Sequence, residues 1–141
     1  MSKKMQKIYY CRAMDGLNIK DINDEYKKVK ILLESNNCIL INAYHETMNK
    51  LAFTKENAKM IVSENLKMLT QADVVMINFS IANHTYIGCV GEMIYAKING
   101  LQVISIVGDG DAGNHFWTLY HSDHIVKTLD EAIDLLKRRE I

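Results

Sequence analysis

An α/β domain built on one mostly parallel sheet is predicted by three observations. Apolar, strand-like runs alternate with helical stretches over about five units of the chain. The runs VVMINF (Val74 to Phe79) and LQVISIV (Leu101 to Val107) are apolar almost throughout, as parallel strands covered on both faces must be. Between the strands, apolar residues recur at the three- and four-residue spacing of amphipathic helices. Right-handed crossovers then give a flavodoxin-like or Rossmann-like three-layer sandwich, with five strands in the order 2-1-3-4-5.

The first strand is KIYYC (Lys7 to Cys11), β-branched and aromatic, ending in the polar break RAMDG. From Asp21 to about Asn36, Ile22, Tyr26, Val29, Leu32 and Leu33 mark one face of a helix. CILINAY (Cys38 to Tyr44) reads as the second strand, and His45 to Phe53 as a loop. Thr54 is an N-cap for a helix to about Thr70, with Ala58, Ile61, Val62, Leu66 and Leu69 as its apolar face and Asn65 beside it.

After VVMINF comes the polar loop SIANHTY, then a helix from about Gly88 to Asn99 that Gly100 ends in the usual C-cap position. LQVISIV is the fourth strand, and GDGDAGNH is turn-rich. FWTLYHSDHIV predicts a short helix and a last short strand near Ile125 and Val126. Thr128 to Glu131 is a T-x-x-E capping box for a final helix with Leu129, Ala132, Ile133 and Leu136 inward.

The 141 residues suit a single domain over 1–141, long enough to bury roughly 70% of the extended chain's surface. Seventeen basic and seventeen acidic residues cancel, so the electrostatic footprint of a protein that grips a nucleic acid polymer is missing. No apolar run approaches the ~20 residues of a membrane span, and MSKKMQKIYY lacks the apolar segment and cleavage site of a signal peptide. A cytoplasmic protein is expected. Cys11, Cys38 and Cys89 show no paired spacing and read as reduced thiols in or near the core.

In a 2-1-3-4-5 sheet the first and third strands are neighbours, and a crevice opens at their carboxyl ends. RAMDG and SIANHTYIGCVGE leave those strands and therefore face each other. In the second loop Glu92 follows Gly88 and Gly91 at a helix start, where free N–H groups and the helix dipole favour anions. A nucleophilic carboxylate, a phosphate site and a glutamate that only complements the dipole all fit that position.

Tyr9 and Tyr10 alternate across the first strand, so one hydroxyl is available to each side. In the loop closed by Gly16, Arg12 is suited to a phosphate and Asp15 to sugar hydroxyls, or the two form an ordinary ion pair. The histidines and aspartate of HSDH lack zinc-helix spacing, so neither a metal nor another cofactor is expected. The sequence holds no G-x-S-x-G elbow and no GK[ST] phosphate loop, which removes serine hydrolases of that type and P-loop nucleotide triphosphatases.

These residues resemble the nucleoside 2-deoxyribosyltransferases and the related nucleoside 5′-monophosphate N-glycosidases. The likeness runs through IYYC with its RAMDG loop, QADVVMINF, the Y-I-G-x-x-G-E segment with YAKINGLQVISI, and the closing helix. It implies a retaining displacement in which Glu92 attacks C1′ of a nucleoside or nucleotide, the base leaves, and water or another base resolves the glycosyl-enzyme. Tyr9 matches the strand tyrosine that orients the nucleophile. Family members often carry an aspartate or serine six residues before the glutamate and an aspartate in the preceding helix; here Tyr86 and Asn65 stand there.

Neither Tyr86 nor Asn65 is a carboxylate, so the resemblance leaves protonation of the leaving base unassigned; Asp15 is the candidate for that role, with Arg12, Gly16, Asn65, Tyr86, Gly88 and Gly91 as candidate substrate contacts. RAMDG differs from the glycine- and serine-rich loop of the deoxynucleotide hydrolases, which leaves phosphate and 2′-hydroxyl preference open. The resemblance also implies a homodimer or higher homo-oligomer in which Trp117, His121 or Asp123 reaches a neighbour's pocket. An N-glycosidase of a larger nucleotide such as NAD, or a non-catalytic nucleotide-binding module, are the alternatives.

Overall fold

The computed structural model describes residues 4–14, 16–42, 50–81, 84 and 86–138. In chain order the elements are β1 (Gln6–Arg12), α1 (Ile19–Glu34), β2 (Cys38–Leu40), α2 (Lys55–Leu69), β3 (Val74–Asn78) and α3 (Ile87–Ile98). There follow β4 (Gln102–Ile106), a 3₁₀ turn (Asp111–Asn114), α4 (Phe116–His121), β5 (His124–Val126) and α5 (Leu129–Arg138). The five strands are all parallel and ordered β2-β1-β3-β4-β5, as the alternation predicts.

Period-two alternation along the strands divides the core into two layers. Ile8, Tyr10, Val74, Met76, Ile104 and Ile106 face α1 and α5, and meet Ile22, Tyr26, Val29 and Leu33 of α1 there. Each of those four helical side chains contributes about 1.5–3 kcal/mol through burial. Tyr9, Cys11, Val75, Ile77 and Val103 face the other way, onto Cys89, Met93 and Ala96 of α3 and Leu69 of α2.

Several boundaries differ from the sequence expectation for local reasons. α1 starts before Asp21 because Asn18 caps it, accepting from the amides of Lys20 at 2.9 Å and Asp21 at 3.3 Å. β2 is shorter than CILINAY because Asn42 substitutes its side chain for the ladder: Oδ1 accepts from Tyr10 N at 2.8 Å and Nδ2 donates to Tyr10 O at 2.7 Å. Ala43, Tyr44 and the loop residues 45–49 lie outside the described residues.

The caps of α2 and α5 form as expected, with Thr54 Oγ1 accepting from Asn57 N at 3.1 Å and Thr128 Oγ1 from Glu131 N at 3.2 Å. Glu131 reaches one residue further than a capping box does, to Lys127 N at 3.0 Å. Gly100 closes α3 with φ 72°, a conformation in which a β-carbon is strained.

The inward face expected for α2 is not observed. Only Leu69 is buried; Ala58 is exposed, Val62 is 52% exposed, and Ile61 and Leu66 are half-covered. α2 packs against α3 at the rim of the sheet, and its apolar stripe is wider than the surface it meets.

Candidate active site

Glu92 lies in the second turn of α3, not the first. The helix begins at Ile87, and its first turn contains no acidic residue, so Glu92 is not a dipole-complementing residue at the helix end. Its face of the helix meets the carboxyl half of β1, because Cys89 and Ala96, one turn either side, pack on the sheet.

Two donors from alternate positions of β1 hold the carboxylate. The Tyr9 hydroxyl hydrogen-bonds to Glu92, and the Cys11 thiol donates to Oε2 at 3.3 Å. Burial raises the Glu92 carboxyl above its ordinary value, and the bonds from Tyr9 and Cys11 oppose that rise. The donors are themselves pushed up by burial and by the neighbouring carboxylate, so both stay protonated at neutral pH. Cys89 is likewise pushed up to about 12 by burial. A half-buried carboxylate fixed by protonated donors has the chemistry to attack an electrophilic carbon.

The glycines around Glu92 leave space. A β-carbon at Gly88, one turn before Glu92, or at Gly91 would meet no atom within 4 Å. Gly16 has φ 73° in the turn where Leu17 N donates to Met14 O at 3.2 Å, so the loop after β1 requires a left-handed residue there. Asp15, beside it, lies outside the described residues.

Arg12 points to the opposite face from Glu92. Its NH1 pairs with Glu25 Oε2 and its Nε donates to Ala13 O at 2.9 Å. Arg12 is thus paired with Glu25 in a largely buried contact, while the Arg12–Asp15 pair weighed from the sequence involves a residue outside those described. Glu25 is a site residue that the sequence reading missed. Its signal was present: it stands three residues after Ile22 and four before Val29, on the edge of the inward stripe of α1.

Tyr86 immediately precedes α3 and holds the turn rather than facing Glu92. Its hydroxyl donates to Phe79 O at 3.1 Å and to Ile81 O, and its ring meets Phe79 edge-on. With Phe79, Val90, Ile94, Trp117 and Thr118 it lines an apolar groove of about 440 Å³ between α3 and α4. Val90 and Ile94 flank Glu92 by two residues each way, so this groove opens on the far side of α3 from the carboxylate. Asn65 is half-buried on α2, and the donors to Glu92 among the described residues are Tyr9 and Cys11.

His121 is buried, stacks on Trp117 at 5.3 Å, and its Nδ1 lies 2.7 Å from Trp117 O. Asp123 sits at the amino edge of the sheet, accepting from Val103 N at 2.8 Å. Asp73 makes the equivalent contact from the start of β3 to β1, accepting from Lys7 N at 2.8 Å, on the edge remote from Glu92. No helix among the described residues is long and apolar enough to cross a membrane.

No protein-family model and no curated protein matches the sequence. Solved structures do match the fold. A 2-deoxyribosyltransferase from Bacillus psychrosaccharolyticus is similar with TM-score 0.66 at 15% identity, over 91% of this chain and 90% of that one. A conserved protein from Enterococcus faecalis V583 gives 0.64 at 14% identity, over 96% and 99%. The CMP N-glycosidase of Clostridium botulinum gives 0.58 at 11% identity, over 95% and 99%. The chain thus shares, nearly end to end, the fold of two kinds of enzyme named for nucleoside and nucleotide chemistry.

Proposed function

We propose that this protein is a cytoplasmic enzyme that cleaves the N-glycosidic bond of a nucleoside or nucleoside 5′-monophosphate, deoxyribosyl or ribosyl, with Glu92 as nucleophile. The observation that carries this reading is the carboxylate held between Tyr9 and Cys11 beneath the open side of Gly88. The fold shared with a 2-deoxyribosyltransferase and a CMP N-glycosidase supports it.

One oxygen of Glu92 attacks C1′ as the C1′–N bond breaks, and the base leaves with the bonding electrons and takes a proton. Asp15, in the loop beyond β1, is our assignment for that proton. Water or a second base then attacks C1′ and frees the carboxylate. Tyr9 and Cys11 orient the nucleophile and favour its ionised form, while Gly16, Gly88 and Gly91 let the sugar approach the backbone and Asn65 contacts the base or sugar. Tyr86 shapes the wall of the pocket by holding the turn before α3.

A second copy of the chain covers the groove between α3 and α4 in this reading. Trp117 lines that groove and, with Phe116 and Tyr120, a second one on α4; all three are exposed, as is Ile87 at the start of α3, and exposed apolar surface of this kind supports an association face.

The test is incubation with ribo- and deoxyribonucleosides and their 5′-monophosphates, with and without an acceptor base. Free base alone indicates hydrolysis, and exchanged base indicates transfer. Release of nicotinamide from NAD instead would redirect the reading to larger nucleotides. Full activity in Glu92→Gln would remove the mechanism.

A further inference from the structure

A second carboxylate stands at the carboxyl edge of β1 and β3, on the face of the sheet opposite Glu92. Glu25 Oε1 accepts from the Tyr10 hydroxyl at 2.8 Å and from Asn78 Nδ2 at 3.1 Å, and Oε2 pairs with Arg12 NH1. Asn78 is fixed from its other end, its Oδ1 accepting from Ser80 N at 2.9 Å and from the Ser80 hydroxyl. Arg12 Nε is bound to Ala13 O, and the Arg12 side chain is only 8% exposed against 23% for Glu25.

Both oxygens of Glu25 are therefore committed, and the guanidinium is neutralised. Satisfied networks of this kind are rigid, because removing one partner strands a charge in a poorly solvated place.

Arg12 ends β1 one residue beyond Cys11, which touches Glu92, so it stands at the same carboxyl edge of the sheet as that carboxylate, on the other face. A 5′-phosphate reaching for it would have to displace Glu25. It would leave that carboxylate half-buried without its cation and beside a dianion. An uncharged nucleoside leaves the pair untouched.

We infer that Glu25, by neutralising Arg12, makes the pocket select an uncharged nucleoside over its 5′-monophosphate. This rests on the N-glycosidic reading above, and it names the substrate class within it. Glu25 is a specificity-determining residue that acts through Arg12 and does not touch the reacting atoms.

Titration calorimetry on the full chain tests the inference without requiring turnover, using the four common 2′-deoxynucleosides and their 5′-monophosphates. Wild type binds the preferred nucleoside about tenfold or more tightly than its monophosphate, the size expected when like charges are brought together. Glu25→Gln keeps an acceptor for Tyr10 and Asn78 and frees Arg12, so the ratio moves about tenfold or more towards the monophosphate. Adding Arg12→Ala to Glu25→Gln reverses that movement. Thermal melts of each variant confirm folding, and the wild-type ratio stands as a measurement that needs no variant.

A wild type that prefers monophosphates, or a ratio unmoved by Glu25→Gln in a folded protein, overturns the inference. Absence of base release with the binding preference intact removes only the catalytic reading. Absence of binding to any nucleoside removes both.

Discussion

The thiol of Cys11 lies 3.3 Å from Oε2 of Glu92 and donates to it, which gives a cysteine on a buried strand a role in the proposed chemistry. Its bond stabilises the ionised carboxylate against the burial that raises it. Cys11→Ala removes that support, so the Glu92 carboxyl rises further and the acid limb of the kcat profile moves to higher pH. The neighbouring titratable groups, Tyr9, Tyr26 and Cys89, are all raised by burial and remain neutral across that range. At neutral pH kcat should fall about threefold to tenfold, as for loss of one hydrogen bond worth ~1 kcal/mol. Cys11→Ser, which keeps a donor, should restore the profile. An acid limb identical in wild type and Cys11→Ala would remove Cys11 from the machinery.

Glu92 should also cost the fold stability. Its carboxyl titrates above the ordinary 4.5 because burial disfavours the charge. Between the unfolded and folded values the native state binds more protons, so stability falls as pH rises through that window. Glu92→Gln carries no such charge and keeps an acceptor for Tyr9 and Cys11. It should melt at a higher temperature than wild type at pH 7, with the difference closing below about pH 4.5. Calorimetric melts across that range decide it. A variant that melts lower at pH 7 would mean that the carboxylate is stabilising.

What the sequence made legible was whatever depends on near neighbours along the chain. Thr54, Thr128 and Gly100 act within one helical turn, and each caps as its spacing predicts. The alternation of Tyr9 and Tyr10 requires them to face opposite ways, and they bond Glu92 and Glu25 respectively. The pairing of Arg12 with Glu25 joins a strand to a helix across a loop, and no local pattern specifies it. The stripe on α2 showed which side is apolar but not whether anything covers it, and only Leu69 is buried. The spacing after Gly88 and Gly91 suggests a helix start at Glu92, but α3 opens at Ile87 and Glu92 is its sixth residue, because the two glycines lie inside the helix and do not precede it.

Asp73 and Asp123 form the same clasp on two strand pairs. Asp73 N donates to Lys7 O at 2.8 Å while its carboxylate accepts from Lys7 N at 2.8 Å. Asp123 N donates to Val103 O at 2.9 Å while its carboxylate accepts from Val103 N at 2.8 Å. Each carboxylate satisfies the amide of the second residue of a neighbouring strand, at the edge remote from Glu92. Alanine at either position should lower stability by about 1 kcal/mol, or roughly 2–5 °C in Tm, with kcat unchanged. Asparagine, which retains an acceptor, should lose less. A fall in kcat without a fall in Tm would contradict a purely structural role.

The association face can be tested through Val90, which lies on α3 between the groove and solvent. Ile87, one turn before it, and Phe116, at the start of α4, are 82% and 86% exposed, apolar surface that an association would remove from water. A carboxylate placed at the centre of an apolar contact must be desolvated without a partner, at a cost of several kcal/mol. Val90→Glu should therefore convert a wild-type dimer to monomer by light scattering at micromolar concentration. Val62→Glu, at a more exposed valine on α2 off this face, should leave the dimer intact. If a neighbour's Trp117 helps to enclose the pocket, kcat/KM should fall with the dimer and recover as protein concentration is raised. A wild type that is monomeric throughout, or a dimer indifferent to Val90→Glu, would place the association face elsewhere.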